Sequence, residues 1–158
     1  MIERIVPWAA AGLMAAGLAS PALAGGKRLA VPMLGAYVQE CGSCHVAYAP
    51  GLLPAASWQR LLDNLSRHFG SDASLDAAAA RPIAAWLQAN AGSGRIGRST
   101  PPQDRITRSD WFLREHREID NTTWQRPTVR SAANCSACHP RADIGRFSEH
   151  DVRIPRPE

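Results

Sequence analysis

The sequence predicts an all-α protein, and three observations carry that prediction. Apolar residues recur at helical spacing in two stretches of the first half. No segment shows the apolar–polar alternation of a half-buried strand, so no sheet is expected. Two short motifs of one pattern, Cys41-Gly-Ser-Cys44-His45 and Cys135-Ser-Ala-Cys138-His139, need compact local backbone rather than extended strands.

The elements follow in order. Glu3 and Arg4 precede the apolar run Ile5 to Ala19, and Ala22-Leu-Ala24 supplies small residues behind it. A charged start, a short apolar stretch and an A-x-A ending read as a secretory signal peptide over residues 1–24, cleaved after Ala24. A retained anchor is the alternative, although that run is marginal for spanning a bilayer. The mature chain, Gly25 to Glu158, then divides into a first half at 25–94, a linker at 95–103 and a second half at 104–158.

Gly25 to Ala36 reads as an irregular lead-in, and residues 37–45 as a short helix carrying the first motif. Ala49 to Pro54 is turn-rich. Ser57 is expected to cap a helix in which Trp58, Leu61, Leu62, Leu65 and Phe69 share a face, with Gly70 as its stop. A second helix spans about Leu75 to Leu87, kinked or restarted at Pro82. Gly92, Gly94, Gly97, Pro101 and Pro102 then mark the boundary between halves. Ser109 is expected to cap a helix containing Trp111, Phe112 and His116. A turn from Asn121 to Pro127 leads to the second motif, and Ile154 to Pro157 forms an extended tail.

All four cysteines lie in the two C-x-x-C-H units. That unit is the attachment signature of c-type haem: two thiols add to the vinyl groups, and the adjacent histidine lands beneath the iron. A redox C-x-x-C pair does not require the following histidine. Structural zinc takes four ligands from paired knuckles. Local disulfides, natural in an oxidising compartment, would leave both histidines without a purpose. The cofactor expected is therefore two haem c groups, and the fold becomes a small helical c-type cytochrome whose haems form much of the core. Short helices in so short a chain bury little apolar surface by themselves.

Each motif supplies one axial ligand, His45 or His139, and the opposite ligand separates electron transfer from ligand chemistry. Met1 and Met14 leave with the signal, so Met33 is the one methionine of the mature chain; the other histidines are His68, His116 and His150. At least one haem must then be bis-histidine or five-coordinate. His68 and His116 lie among apolar residues and are assigned as metal ligands. His150, in Ser148-Glu-His-Asp151, reads as a solvated surface residue. The simplest pairing is His45 with His68 and His116 with His139. A crossed pairing is also compatible with the sequence.

The formal charge is +4, with eight arginines and five acids between residues 95 and 130. Four propionates and two ferric cores would bring the net to roughly +2. Interleaved acids speak against a phosphate-binding patch, so no nucleic-acid partner is expected. The arginines suit either the haem propionates or an acidic partner.

Beyond these motifs, the chain resembles the bacterial DHC-type dihaem cytochromes c. The resemblance lies in Glu40 to Tyr48, Leu52-Leu-Pro54, Ser57-Trp58, His68-Phe-Gly70, Trp111 to His116, Ala133 to His139 and Arg153 to Arg156. It implies a mostly helical electron carrier in which His68 and His116 are the distal ligands of two bis-histidine, low-spin haems. It also implies other redox proteins as partners, such as an oxygen-binding monohaem cytochrome c or a membrane b-type cytochrome. The expected function is single-electron carriage in the periplasm by a monomer, without catalysis and without a small-molecule substrate at the iron. A haem enzyme handling peroxide, nitrite or oxygen is the alternative if one iron is five-coordinate.

Overall fold

The structure, a computed structural model, describes residues 31–156. The signal peptide and its cleavage site, the start of the lead-in and Pro157 lie outside the described residues. Within them the fold consists of six short helices joined by 3₁₀ turns: α1 Gly35–Cys41, α2 Ala55–Asp63, α3 Ala77–Asn90, α4 Gly94–Gly97, α5 Asp110–Glu115 and α6 Asn121–Gln125. The extended pairing among them is one isolated bridge between His68 and Ser71. The all-α expectation holds.

The first half carries the larger core. α2 packs on α3, and Tyr37, Ala47, Leu53, Trp58, Ile83 and Leu87 are buried together. Tyr37 meets Trp58 edge-on at 6.5 Å and Trp86 at 5.2 Å, offset geometries that suit aromatic quadrupoles. The polar ends of these rings are satisfied: Tyr37 donates to the Tyr48 carbonyl at 2.8 Å, and the Trp58 indole N–H to the Pro50 carbonyl at 2.7 Å. The second half is thinner, with Phe112, Val129 and Ala142 buried and its two helices only six and five residues long. Helices that short are not stable on propensity alone.

Several boundaries differ from expectation. α2 starts at Ala55, two residues before Ser57, because the extended Pro54 offers its carbonyl to the N–H groups of Ser57 and Trp58. Ser57 is thus buried inside the helix and does not cap it. α2 also ends at Asp63 rather than near Gly70, because the Asn64 side chain donates back to the Arg60 carbonyl and closes the last turn. Asp76, whose carboxylate accepts from Ala78 and Ala79, caps α3, which runs on through Pro82 to Asn90. The first motif is helical only to Cys41. Asn121 to Gln125 is a helix rather than a turn, capped by the Asp120 carboxylate.

The stretch between the halves is built into the fold. Ile96 of α4 is buried, and the Gly92 N–H donates to the Leu53 carbonyl at 2.7 Å. A Cβ on Gly92 would collide with the Ile96 side chain and the Gly51 carbonyl and crowd the Leu53 carbonyl, so this approach needs glycine. Three side-chain contacts tie first-half residues to later ones: Arg60 to Asp104, Tyr48 to Ala133, and the Arg105 guanidinium 4.1 Å above the Phe69 ring.

Candidate functional site

α1 delivers Cys41 as its last residue, and Cys44 and His45 follow in the turn. The second motif is one tight turn. Residues Cys135–Ala137 form a 3₁₀ helix, and the His139 N–H closes back on the Cys135 carbonyl at 2.8 Å. Burial pushes the Cys41 and Cys135 thiols up to about 11. That is the reverse of the lowered thiol of a redox C-x-x-C pair.

His68 does not ride on α2. It follows the 3₁₀ turn Leu65–Arg67 and enters a tight reversal, with Phe69 at φ +50° and Gly70 at φ +99°. His116 is the residue after α5, where its ring stacks on Phe112 at 4.0 Å. These two distant pieces of chain reach the two motifs separately. The His45 and His68 rings lie 6.2 Å apart between centres and 24° from parallel; the His116 and His139 rings lie 6.1 Å apart at 79°.

One ring of each pair is oriented by a backbone carbonyl, His45 Nδ1 on Val46 at 2.8 Å and His116 Nδ1 on Phe112 at 2.9 Å. A carbonyl only accepts, so Nδ1 carries the proton and Nε2 keeps its lone pair. The other ring of each pair, His68 and His139, has a buried Nδ1 without a hydrogen-bond partner. Burial, reinforced by the facing histidine, holds both of these imidazoles below the usual range and so in the neutral, metal-binding form. His116, Cys135, Cys138 and His139 open onto a cleft of about 1000 Å³, counting its mouth, walled by Trp111, Trp124 and Phe147. His150 is exposed, as expected, and Met33 packs against the first-half core.

The profile of the dihaem cytochrome c family matches residues 37–147. The chain belongs to that family. A diheme cytochrome c of Shewanella baltica is 38% identical and superposes with a TM-score of 0.69, over 80% of this chain and 97% of that one. The DHC of Rhodobacter sphaeroides is 40% identical with a TM-score of 0.64, over 74% and 99%. A comparison with curated proteins returns no match. As a dihaem cytochrome c, the chain carries two haem c groups and serves as a haem electron carrier.

The residues present fit that cofactor. Iron–nitrogen bonds of about 2 Å on each side, plus roughly 1 Å from each nitrogen to its ring centre, require imidazole centres about 6 Å apart. Both pairs meet this, and each adjoins a C-x-x-C-H motif. Three neighbours were not singled out by sequence reasoning for a role here. Tyr48 stacks on His45 at 4.7 Å, Trp124 lies 5.9 Å from His116, and Phe147 meets His139 edge-on at 5.2 Å. An aromatic three residues after the first motif histidine was the one available signal.

Proposed function

We propose that the chain carries single electrons in the periplasm through two bis-histidine, low-spin haems. Cys41 and Cys44 would hold the first by thioether bonds, with His45 and His68 on its iron. Cys135 and Cys138 would hold the second, with His116 and His139. The observation that carries this reading is the pair of imidazole separations, 6.2 and 6.1 Å, which also favours the uncrossed pairing. When bound, each haem supplies a one-electron ferric/ferrous couple.

The chain's own part is to fix and shield that couple. The Val46 and Phe112 carbonyls accept from the Nδ1–H of His45 and His116, which fixes the ring planes and raises the basicity of Nε2. Trp111, Trp124 and Phe147 keep the second site apolar. Two imidazoles per iron leave no coordination position for a substrate and predict potentials below those of Met/His ligation. The partners we propose are other redox proteins, an oxygen-binding monohaem cytochrome c or a membrane b-type cytochrome, docking transiently on a small interface.

EPR and magnetic circular dichroism of the oxidised holoprotein test the ligation, with two low-spin bis-histidine centres expected. A native five-coordinate centre that binds carbon monoxide would overturn it. Fractionation of cells, with the mature protein beginning at Gly25 in the periplasmic fraction, tests the location.

A further inference from the structure

Residues 95–130 hold eight of the chain's seventeen arginines, and three of them line a second cleft. Arg95 lies on α4, Arg98 follows its end, and Arg114 lies on α5. With Asp110 they line an open cleft of about 620 Å³, whose apolar lining includes Leu52, Pro54, Ile96 and Trp111. Three guanidinium groups against one carboxylate leave the cleft with two net positive charges. Arg95 and Arg98 are exposed and form no ion pair with a described residue. Arg114 leans on its neighbour Glu115 at 3.6 Å, an exposed pair of little strength.

Position gives this cleft its meaning. Leu52 and Trp111 line it, and the same two side chains line the cleft of His116 and His139. One wall therefore separates the arginines from the second haem site. We propose that the Arg95/Arg98/Arg114 cleft receives an acidic, carboxylate-bearing segment of the redox partner, and that electrons are exchanged at the second haem. The proposal rests on the electron-carrier reading and adds the docking face and the charge of the partner. Guanidinium forks match carboxylates in two parallel hydrogen bonds, and an apolar lining with an indole receives the methylenes of a glutamate. Charge focused beside the exchange point raises encounter rates at low salt.

The test uses reduced holoprotein and two one-electron oxidants of opposite charge, ferric EDTA (an anion) and hexaammineruthenium(III) (a cation). In each reaction one electron leaves the protein and the metal complex is reduced by one; no proton or bond is transferred. R95Q/R98Q is compared with R81Q/R117Q, which removes the same charge from exposed arginines outside the cleft. At low salt, R95Q/R98Q is expected to slow oxidation by ferric EDTA about five- to tenfold, to leave or speed that by hexaammineruthenium, and to lose most of the salt dependence. The control pair should change either rate less than twofold, and haem content and both midpoint potentials should stay in place. Equal slowing by the two double variants would overturn the proposal, since net charge alone would then act. A shifted midpoint potential with unchanged rates would overturn it too, because the arginines would then hold propionates. Failure of the reduced wild type to pass electrons to either oxidant would instead defeat the carrier reading itself.

Discussion

The Tyr48 hydroxyl donates to the Ala133 carbonyl at 2.8 Å, a bond between residues 85 apart in sequence. Its ring stacks on His45 at 4.7 Å, and its own carbonyl is held by Tyr37 from the first-half core. Ala133 lies two residues before Cys135. One tyrosine thus fixes the His45 plane and ties it to the segment that carries the second motif. Burial holds its hydroxyl well above the usual tyrosine range, so it remains a donor at any working pH.

Tyr48→Phe is expected to keep the stack and lose the tie. The loss of about 1 kcal/mol should lower the melting temperature of the holoprotein by roughly 4 °C and leave the EPR signature of the first haem intact. Tyr48→Ala should also shift the g-values of that haem, because the imidazole loses its stacking partner. A Tyr48→Phe protein as stable as wild type would show that the tie carries no weight.

Gly70 stands at φ +99°, two residues after His68, with no atom within 4 Å of where a Cβ would go. Gly70→Ala therefore introduces backbone strain without a clash, worth about 1 kcal/mol or more. The strain falls on the turn that presents His68. A fraction of the first haem should then become high-spin and bind carbon monoxide while the second stays low-spin. Gly35→Ala, at ordinary φ and in equally open space, should change neither spectrum nor stability by much.

These cases show what could be read from the sequence and what could not. The two motifs declared their chemistry because covalent attachment demands a fixed local spacing. His68 and His116, the proposed distal ligands, were reached by elimination, since so few side chains could complete an iron. The turn that carries His68 did not emerge. The apolar spacing from Trp58 to Phe69 continues at helical period, while the backbone stops at Asn64 through one side-chain bond that periodicity does not register. The helix at Asn121–Gln125 was hidden for a related reason: Trp124 is its one apolar residue, too little to show a helical period, and the Asp120 cap holds it. Tyr48 was visible as a residue, but its partner lies in the other half, beyond any local pattern.

Ser109 caps the helix whose end presents His116. Its hydroxyl accepts from the Phe112 N–H at 3.1 Å and donates to the Ile106 carbonyl at 2.8 Å, and the Phe112 carbonyl orients His116. Ser109→Ala should cost about 1 kcal/mol and broaden the EPR signal of the second haem. Asp76→Ala removes the comparable cap of α3 and should cost as much in a denaturant titration, with both haem signals unchanged. Identical spectra in the two variants would separate Ser109 from the site.

Acid should reveal the Arg60–Asp104 pair that joins α2 to the turn after Pro101. Gln103 and Asp104 sit at φ +58° and +55°, and the Arg60 guanidinium reaches the Asp104 carboxylate at 2.6 Å. That hydrogen bond, helped by the Ser57 hydroxyl, holds the Asp104 carboxyl below the usual carboxylate range, against the opposing effect of its partial burial. A carboxyl lowered on folding stabilises the protein fully above its unfolded value, about 4, and the benefit fades as pH falls through the folded value. Arg60 is half exposed, so solvent screens the pair and the effect is small. Asp104→Asn is expected to lower the melting temperature by roughly 2 °C at pH 7, by the same amount at pH 5, and by progressively less as the pH falls below about 4. A deficit that stays constant down to the lowest pH at which the protein folds would place the cost in the strained turn rather than in the charge.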